Sequence, residues 1–196
     1  MTQQTERRYV IGSVRAETPD SGPARIIGSA AVFNMRSENL GGFREIIKPG
    51  AFDGVLGDDV RALFNHDPNY ILGRTASNTL RLSVDDTGLL YDIEAPDTQT
   101  VRDMILAPLK RGDVTQSSFQ FTVARDGDYW YQDEEGIVVR EVTRIARLFD
   151  VGPVTLPAYP DTNAASRGLQ DFLASDGRLK ALTQKRSRER LLQLLG

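Results

Sequence analysis

Residues 79–94 constrain the fold of this chain most. Thr79-Leu-Arg-Leu-Ser-Val-Asp85 alternates apolar with polar residues, Asp86-Thr-Gly88 carries turn chemistry, and residues 89–94 return as a second apolar-rich run. Side chains on a strand alternate faces, so this pattern predicts an antiparallel hairpin. Similar short runs recur along the chain. Residues 8–14 alternate about Tyr9 and Ile11, residues 26–33 are apolar and contain small side chains, and 43–47 precede the break at Pro49-Gly50. Residues 60–64 read as a buried strand running into Asn65-His66-Asp67-Pro68, and 117–123 alternate Phe119, Phe121 and Val123 against Ser118, Gln120 and Thr122. Residues 129–132 and 137–145 form a second hairpin across Asp133-Glu-Glu-Gly136, and 148–155 make a last strand. Helical signals are few: a short turn at 51–56, and residues 98–110, where Val101, Ile105 and Leu109 fall at helical spacing before Gly112. Many short strands with so few helices predict a mainly β protein with peripheral helices (α+β), its strands closed or nearly closed into a β-barrel.

The chain has 196 residues, 40% of them hydrophobic and 26% charged, enough for one sizeable core and too few for a comfortable second domain. Cysteine is absent and histidine occurs once. That excludes disulfides and thiolate ligands, and it leaves only carboxylates to complete a tetrahedral zinc site, so no metal is expected. Gly54-Val-Leu-Gly57 lacks the lysine and hydroxyl of a phosphate loop, so no nucleotide or other cofactor is expected either. The N-terminus is polar, and nowhere do about 18 apolar residues run together, which predicts a soluble chain without a membrane span.

Charge divides the chain. From Arg167 onward seven Lys and Arg stand against three Asp and Glu, a balance of +4, which leaves the preceding residues at −7 of a total of −3. Leu169, Phe172 and Leu173 sit at i, i+3 and i+4, and Leu179, Leu182, Leu191, Leu192 and Leu195 continue beyond Gly177 among basic residues. The expected organisation is a disordered N-terminus over 1–7, a folded body over 8–166 and a basic amphipathic helical tail over 167–196 that docks on a protein partner. The acidic body argues against nucleic acid as that partner.

Chemistry has few places to reside. A serine hydroxyl is too weak an acid to ionise near neutrality, and imidazole is the base that titrates in the right range, so His66 is the one histidine that could activate a serine. A lone histidine and a serine on a strand are, taken alone, as compatible with structural roles. The 52 residues between His66 and Ser118 decide nothing, because such sites are defined by geometry.

Seven motifs carry more. Gly28-Ser-Ala-Ala-Val-Phe-Asn34, Glu45-Ile-Ile-Lys-Pro-Gly-Ala-Phe52, Leu63-Phe-Asn-His-Asp67, Leu72-Gly-Arg74, Gly88-Leu, Gln116-Ser-Ser-Phe-Gln-Phe121 and Val154-Thr-Leu-Pro-Ala-Tyr-Pro160 occur in this order. Across residues 28–167 the chain resembles the HK97-type branch of the tailed-phage prohead proteases. The resemblance implies an antiparallel β-barrel ringed by helices, of the herpesvirus maturation protease type. It also implies a serine endopeptidase that cleaves scaffold segments from capsid proteins and processes itself. Its partners would be the major capsid protein with its scaffold segment, and further copies of itself. Its location would be the assembling prohead in the bacterial cytoplasm.

Carried over residue by residue, the resemblance makes His66 the base and Ser118 the nucleophile. Ser117 competes, but strand alternation sends the two serines to opposite faces and the Phe-x-Phe register selects Ser118. The resemblance assigns the third member to Asp150 in Asp150-Val-Gly152, where the family more often has Glu-Val-Ser; Glu141 and Asp67 are alternatives. Arg74 and Arg144 are candidate oxyanion donors. Two other classes remain to be weighed: a non-catalytic capsid assembly or scaffold-binding protein, and an esterase, against which the missing Gly-x-Ser-x-Gly elbow counts.

Overall fold

The computed structural model describes residues 5–11, 14–156 and 162–175. Within them the expected hairpin is present: β7 (Leu80–Val84) pairs antiparallel with β8 (Gly88–Glu94), Leu80 opposite Ile93 and Val84 opposite Leu89. The turn is closed by Asp85 Oδ1, which accepts hydrogen bonds from Thr87 N, Thr87 Oγ1 and Gly88 N, as an aspartate mimicking a backbone turn does.

The described residues form a mainly β fold of three sheets with few helices. The hairpin extends through β3 (Arg25–Val32) and β2 (Val14–Glu17) into a four-stranded sheet ordered β2-β3-β8-β7. A five-stranded sheet runs β1 (Glu6–Ile11), β9 (Gln116–Val123), β12 (Ile145–Val154), β5 (Arg61–Leu63) and β6 (Ile71–Arg74). The third joins β10 (Asp128–Gln132), β11 (Val138–Val142) and β4 (Arg44–Ile47). Two of the pairings, β12 with β5 and β11 with β4, are parallel, a departure from the all-antiparallel expectation. Long stretches of chain separate the partners in each case, as parallel neighbours require.

Aromatic side chains fill the space between the sheets. Phe52 meets Phe119 edge-on at 5.7 Å between ring centroids, and Phe119 stacks on Phe121 at 4.8 Å. Tyr91, Leu72, Ile93 and Leu148 complete a core from which water is excluded. Each such side chain contributes roughly 1.5–3 kcal/mol by leaving water.

Several expectations change. The run 137–145 is not one strand: Thr143 N and Arg144 N both donate to the Gly127 carbonyl, and Ile145 then opens β12, so the chain changes sheets there. The helix over 98–110 is present as α1 (Gln99–Val101) and α2 (Ala107–Arg111) joined by a π-helical turn, Arg102–Leu106. Pro108 has no amide to return to the Met104 carbonyl, and Ala107 N reaches five residues back to Arg102 O. Disorder over 1–7 does not hold at its end, because Glu6 and Arg7 belong to β1. Residues 1–4 lie outside the described residues.

The alternation over 8–14 buries the face of β1 opposite Tyr9 and Ile11. Glu6, Arg8 and Val10 are buried, whereas Tyr9 is half-buried and Ile11 is 67% exposed. The boundary at 166/167 falls inside a helix, α3 (Thr162–Ser175). Ala165 and Leu169 of α3 are buried with Leu40, Phe43 and Val138, and Trp130, Phe172 and Leu173 pack on them. The leucine and phenylalanine stripe is therefore covered by the body itself as far as residue 175. Gly168 lets the helix come this close, since a Cβ there would lie 2.9 Å from the Trp130 ring. The rest of the tail expected over 167–196, residues 176–196, lies outside the described residues. Among the described residues no helix is long and apolar enough to cross a membrane.

Candidate active site

Three strands of the five-stranded sheet converge on Ser118. In β9, Ser118 stands opposite Gly152 of β12 on one side and Tyr9 of β1 on the other. Ser118 is 2% exposed, because β9 is covered on both faces and is not the half-solvated strand its alternation suggested. Asp150 precedes Gly152 by two residues on β12 and pairs with Arg61 of β5.

Gly152 explains how β5 is drawn in. Its φ is +157°, and a Cβ on it would lie 2.1 Å from the Leu63 carbonyl oxygen. The serine common at this position in the family pattern would collide with β5 here, so the departure to glycine belongs to this chain's own packing. Beyond β5 the chain turns through Asn65 and His66, both left-handed at φ 57°. Asparagine and histidine tolerate that region better than most residues.

The turn aims the imidazole at both partners. His66 Nδ1 lies 2.5 Å from Asp150 Oδ1, and His66 Nε2 lies 2.6 Å from Ser118 Oγ. A carboxylate only accepts, so Nδ1 carries a proton to donate and Nε2 can offer its lone pair to the hydroxyl. All three side chains are withdrawn from solvent, the imidazole at 5% and the Asp150 carboxyl at 7% exposure. Ser118 Oγ also donates to the Arg8 carbonyl at 2.8 Å. One hydroxyl proton therefore has two acceptors, Arg8 O and His66 Nε2.

The other residues singled out from sequence lie elsewhere. Ser117 faces the core, where its hydroxyl bonds the Tyr91 hydroxyl at 2.7 Å. Burial pushes the Tyr91 phenol up, with the Ser117 bond opposing. Asp67 accepts from Asn69 N and Nδ2 and closes its own turn. Glu141 sits on the three-stranded sheet near Lys48 and Tyr131. Arg74 is held by Asp59 through two hydrogen bonds, and Arg144 donates to the Arg125 carbonyl.

Sequence reasoning missed a second polar group. Arg8 bonds Glu6 and Glu45, and Arg140 bonds Glu6, Glu45 and Asp128, with Glu6, Arg8, Glu45 and Arg140 all buried. Burial opposes the charge on Glu45, but Arg8 and Arg140 prevail and hold its carboxyl below the ordinary range. Its one legible signal was Glu6 and Arg8 two residues apart, on one face of a strand.

Residues 12–174 match the family model described as caudovirus prohead serine protease. The fold is similar to that of the bacteriophage T4 capsid assembly protease gp21, at TM-score 0.47 and 12% sequence identity over 79% of this chain and 97% of that one. No curated protein sequence matches the chain. The family match takes in all of β2 to β12 and nearly the whole of α3, and with it His66, Ser118 and Asp150. Over most of its length, therefore, this chain belongs to the caudovirus prohead serine protease family.

Proposed function

We propose that Ser118, His66 and Asp150 are the catalytic triad of this capsid maturation protease. One observation carries the reading: an unbroken chain of hydrogen bonds from Asp150 through both ring nitrogens of His66 to Ser118 Oγ. Nothing else among the described residues offers a hydroxyl to an imidazole, since the chain has a single histidine.

In the reaction, His66 Nε2 takes the hydroxyl proton as Ser118 Oγ bonds to the scissile carbonyl carbon. Asp150 holds the Nδ1–H tautomer and stabilises the imidazolium. The imidazolium returns the proton to the leaving amine as the peptide C–N bond breaks. Water, deprotonated by the same ring, then cleaves the acyl-enzyme ester and restores the serine. For Ser118 to enter this cycle its proton must be directed to Nε2 and not to the Arg8 carbonyl.

The substrates in this reading are scaffold segments of capsid proteins, and the chain's own C-terminal tail, inside the assembling prohead of the host cytoplasm. The sheets read as the wall of one barrel of the herpesvirus maturation protease type. Supporting this, Phe33 bridges Ile47 and Arg36 bridges Ile46, which ties the end of β3 to β4 across two sheets. The division of labour in this reading is a protease body that includes α3 as far as Ser175, in place of a body ending at 166, and a docking tail beyond it.

Coexpression with the major capsid protein tests the triad. The native chain should shorten the capsid protein on a denaturing gel, and Ser118→Ala should leave it intact, a loss of roughly a millionfold in kcat. Equal processing by both would remove Ser118 from the mechanism.

A further inference from the structure

Asn65 precedes the catalytic imidazole by one residue and has no part in the proton relay, yet it is bound on two sides to the end of β12. Its amide donates to the Pro153 carbonyl at 3.0 Å. Its side-chain Oδ1 accepts from Thr155 N at 2.8 Å and from Thr155 Oγ1 at 3.2 Å. β12 is the strand that carries Asp150 and lies against Ser118 at Gly152.

A left-handed residue with a Cβ is strained unless its surroundings hold it, and here two occur in succession. The two bonds made by the imidazole fix the ring's rotation. They do not fix where the His66 backbone stands relative to β12. That placement needs a residue tolerant of positive φ with a short side-chain acceptor, a combination asparagine and aspartate supply. Glycine supplies the φ alone, and alanine supplies neither.

We propose that Asn65 is a positioning residue for the protease reaction: its side-chain carbonyl clamps the left-handed turn onto the end of β12, so that His66 meets Asp150 and Ser118 together. The proposal rests on the triad reading above and adds to it the element that assembles the triad.

Asn65→Asp, Asn65→Gly and Asn65→Ala separate acceptor from backbone. Two readouts apply: the rate at which a fluorophosphonate probe labels Ser118 across pH, and the downfield proton resonance of the His66–Asp150 bond, unambiguous because the chain has one histidine. Asn65→Gly should label about ten- to a hundredfold more slowly, the cost of a small misplacement of a reacting group, with the resonance lost. Asn65→Asp should stay within about fivefold of the native rate and keep the resonance, and Asn65→Ala should be no better than Asn65→Gly.

A native rate, pH profile and resonance in Asn65→Gly would overturn the clamp, as would Asn65→Asp falling as far as Asn65→Gly. Should Asn65→Gly not fold, Thr155→Val removes the weaker donor alone and should slow labelling about two- to threefold; an unchanged rate and resonance there would equally overturn it. Failure of the native chain to label at Ser118 would sink the triad reading. The resonance would still decide the clamp, which is refuted if Asn65→Gly retains it.

Discussion

The proposed triad of Ser118, His66 and Asp150 and the ion cluster beside β1 are both withdrawn from water, and they meet the cost of burial in opposite ways. In the cluster each guanidinium faces two or more carboxylates and every charge is answered. Such a group has nothing left to give and can only hold its place. The triad is a single file of two bonds ending in a hydroxyl whose one proton has a choice of acceptors. Arg8 belongs to both, with its side chain in the cluster and its carbonyl on Ser118. Full pairing makes the scaffold of the site, and incomplete pairing makes its chemistry.

If that division is right, the two groups fail differently when cut. Asp150→Asn keeps the shape of the triad but lets Nδ1 lose its obligate acceptor, so the ring can take the wrong tautomer. The expected loss is roughly ten-thousandfold in kcat with little change in melting temperature. A loss below about tenfold, measured on the same peptide or capsid substrate, would remove Asp150 from the mechanism.

Arg140→Leu should do the reverse. It strands Glu6 and Glu45 with Arg8 as their only cation, and removing one partner of a buried ion group costs about 3–5 kcal/mol. Denaturant unfolding should show that loss, while folded protein labels Ser118 at close to the native rate. A variant as stable as the native chain would mean the cluster contributes specificity of packing and little net stability.

The same contrast accounts for what could be read in the sequence. Strand alternation located the hairpin at 79–94 and separated Ser117 from Ser118, because those patterns are local. The residues proposed as the triad were reachable through the family resemblance, since Asn-His-Asp and Ser-Phe-x-Phe are short and chemically marked. The cluster was not: Glu6, Arg8, Glu45, Asp128 and Arg140 come from four strands, and each alone reads as a solvated charge. For that reason the alternation about Tyr9 and Ile11 does not reveal that the face of β1 carrying Glu6 and Arg8 is the buried one. The helix α3 misled similarly, for an amphipathic stripe reports that something covers it and not what does.

Acid should distinguish the groups more gently. The Glu45 carboxyl is held below its ordinary range, so its contribution is complete above about pH 4.3 and is lost as pH falls toward the depressed folded value. Melting temperature should therefore decline below that pH in the native chain, and Glu45→Gln, less stable at neutrality, should show a shallower decline. Parallel curves would assign the acid sensitivity to other carboxylates.

The smallest effect is expected at the surface, where Arg74 and Asp59 make a bidentate pair with side chains 45% and 41% exposed. An exposed pair of this kind is screened by solvent and contributes little, so Arg74→Ala should alter stability barely and kcat by less than about twofold. This variant tests more than the pair. Loss of an oxyanion donor costs roughly a hundred- to a thousandfold in kcat, a range well separated from the expectation. A drop of that size would show that substrate draws the guanidinium away from Asp59 into the site, and the boundary between structural charge and catalytic charge would have to be redrawn to include it.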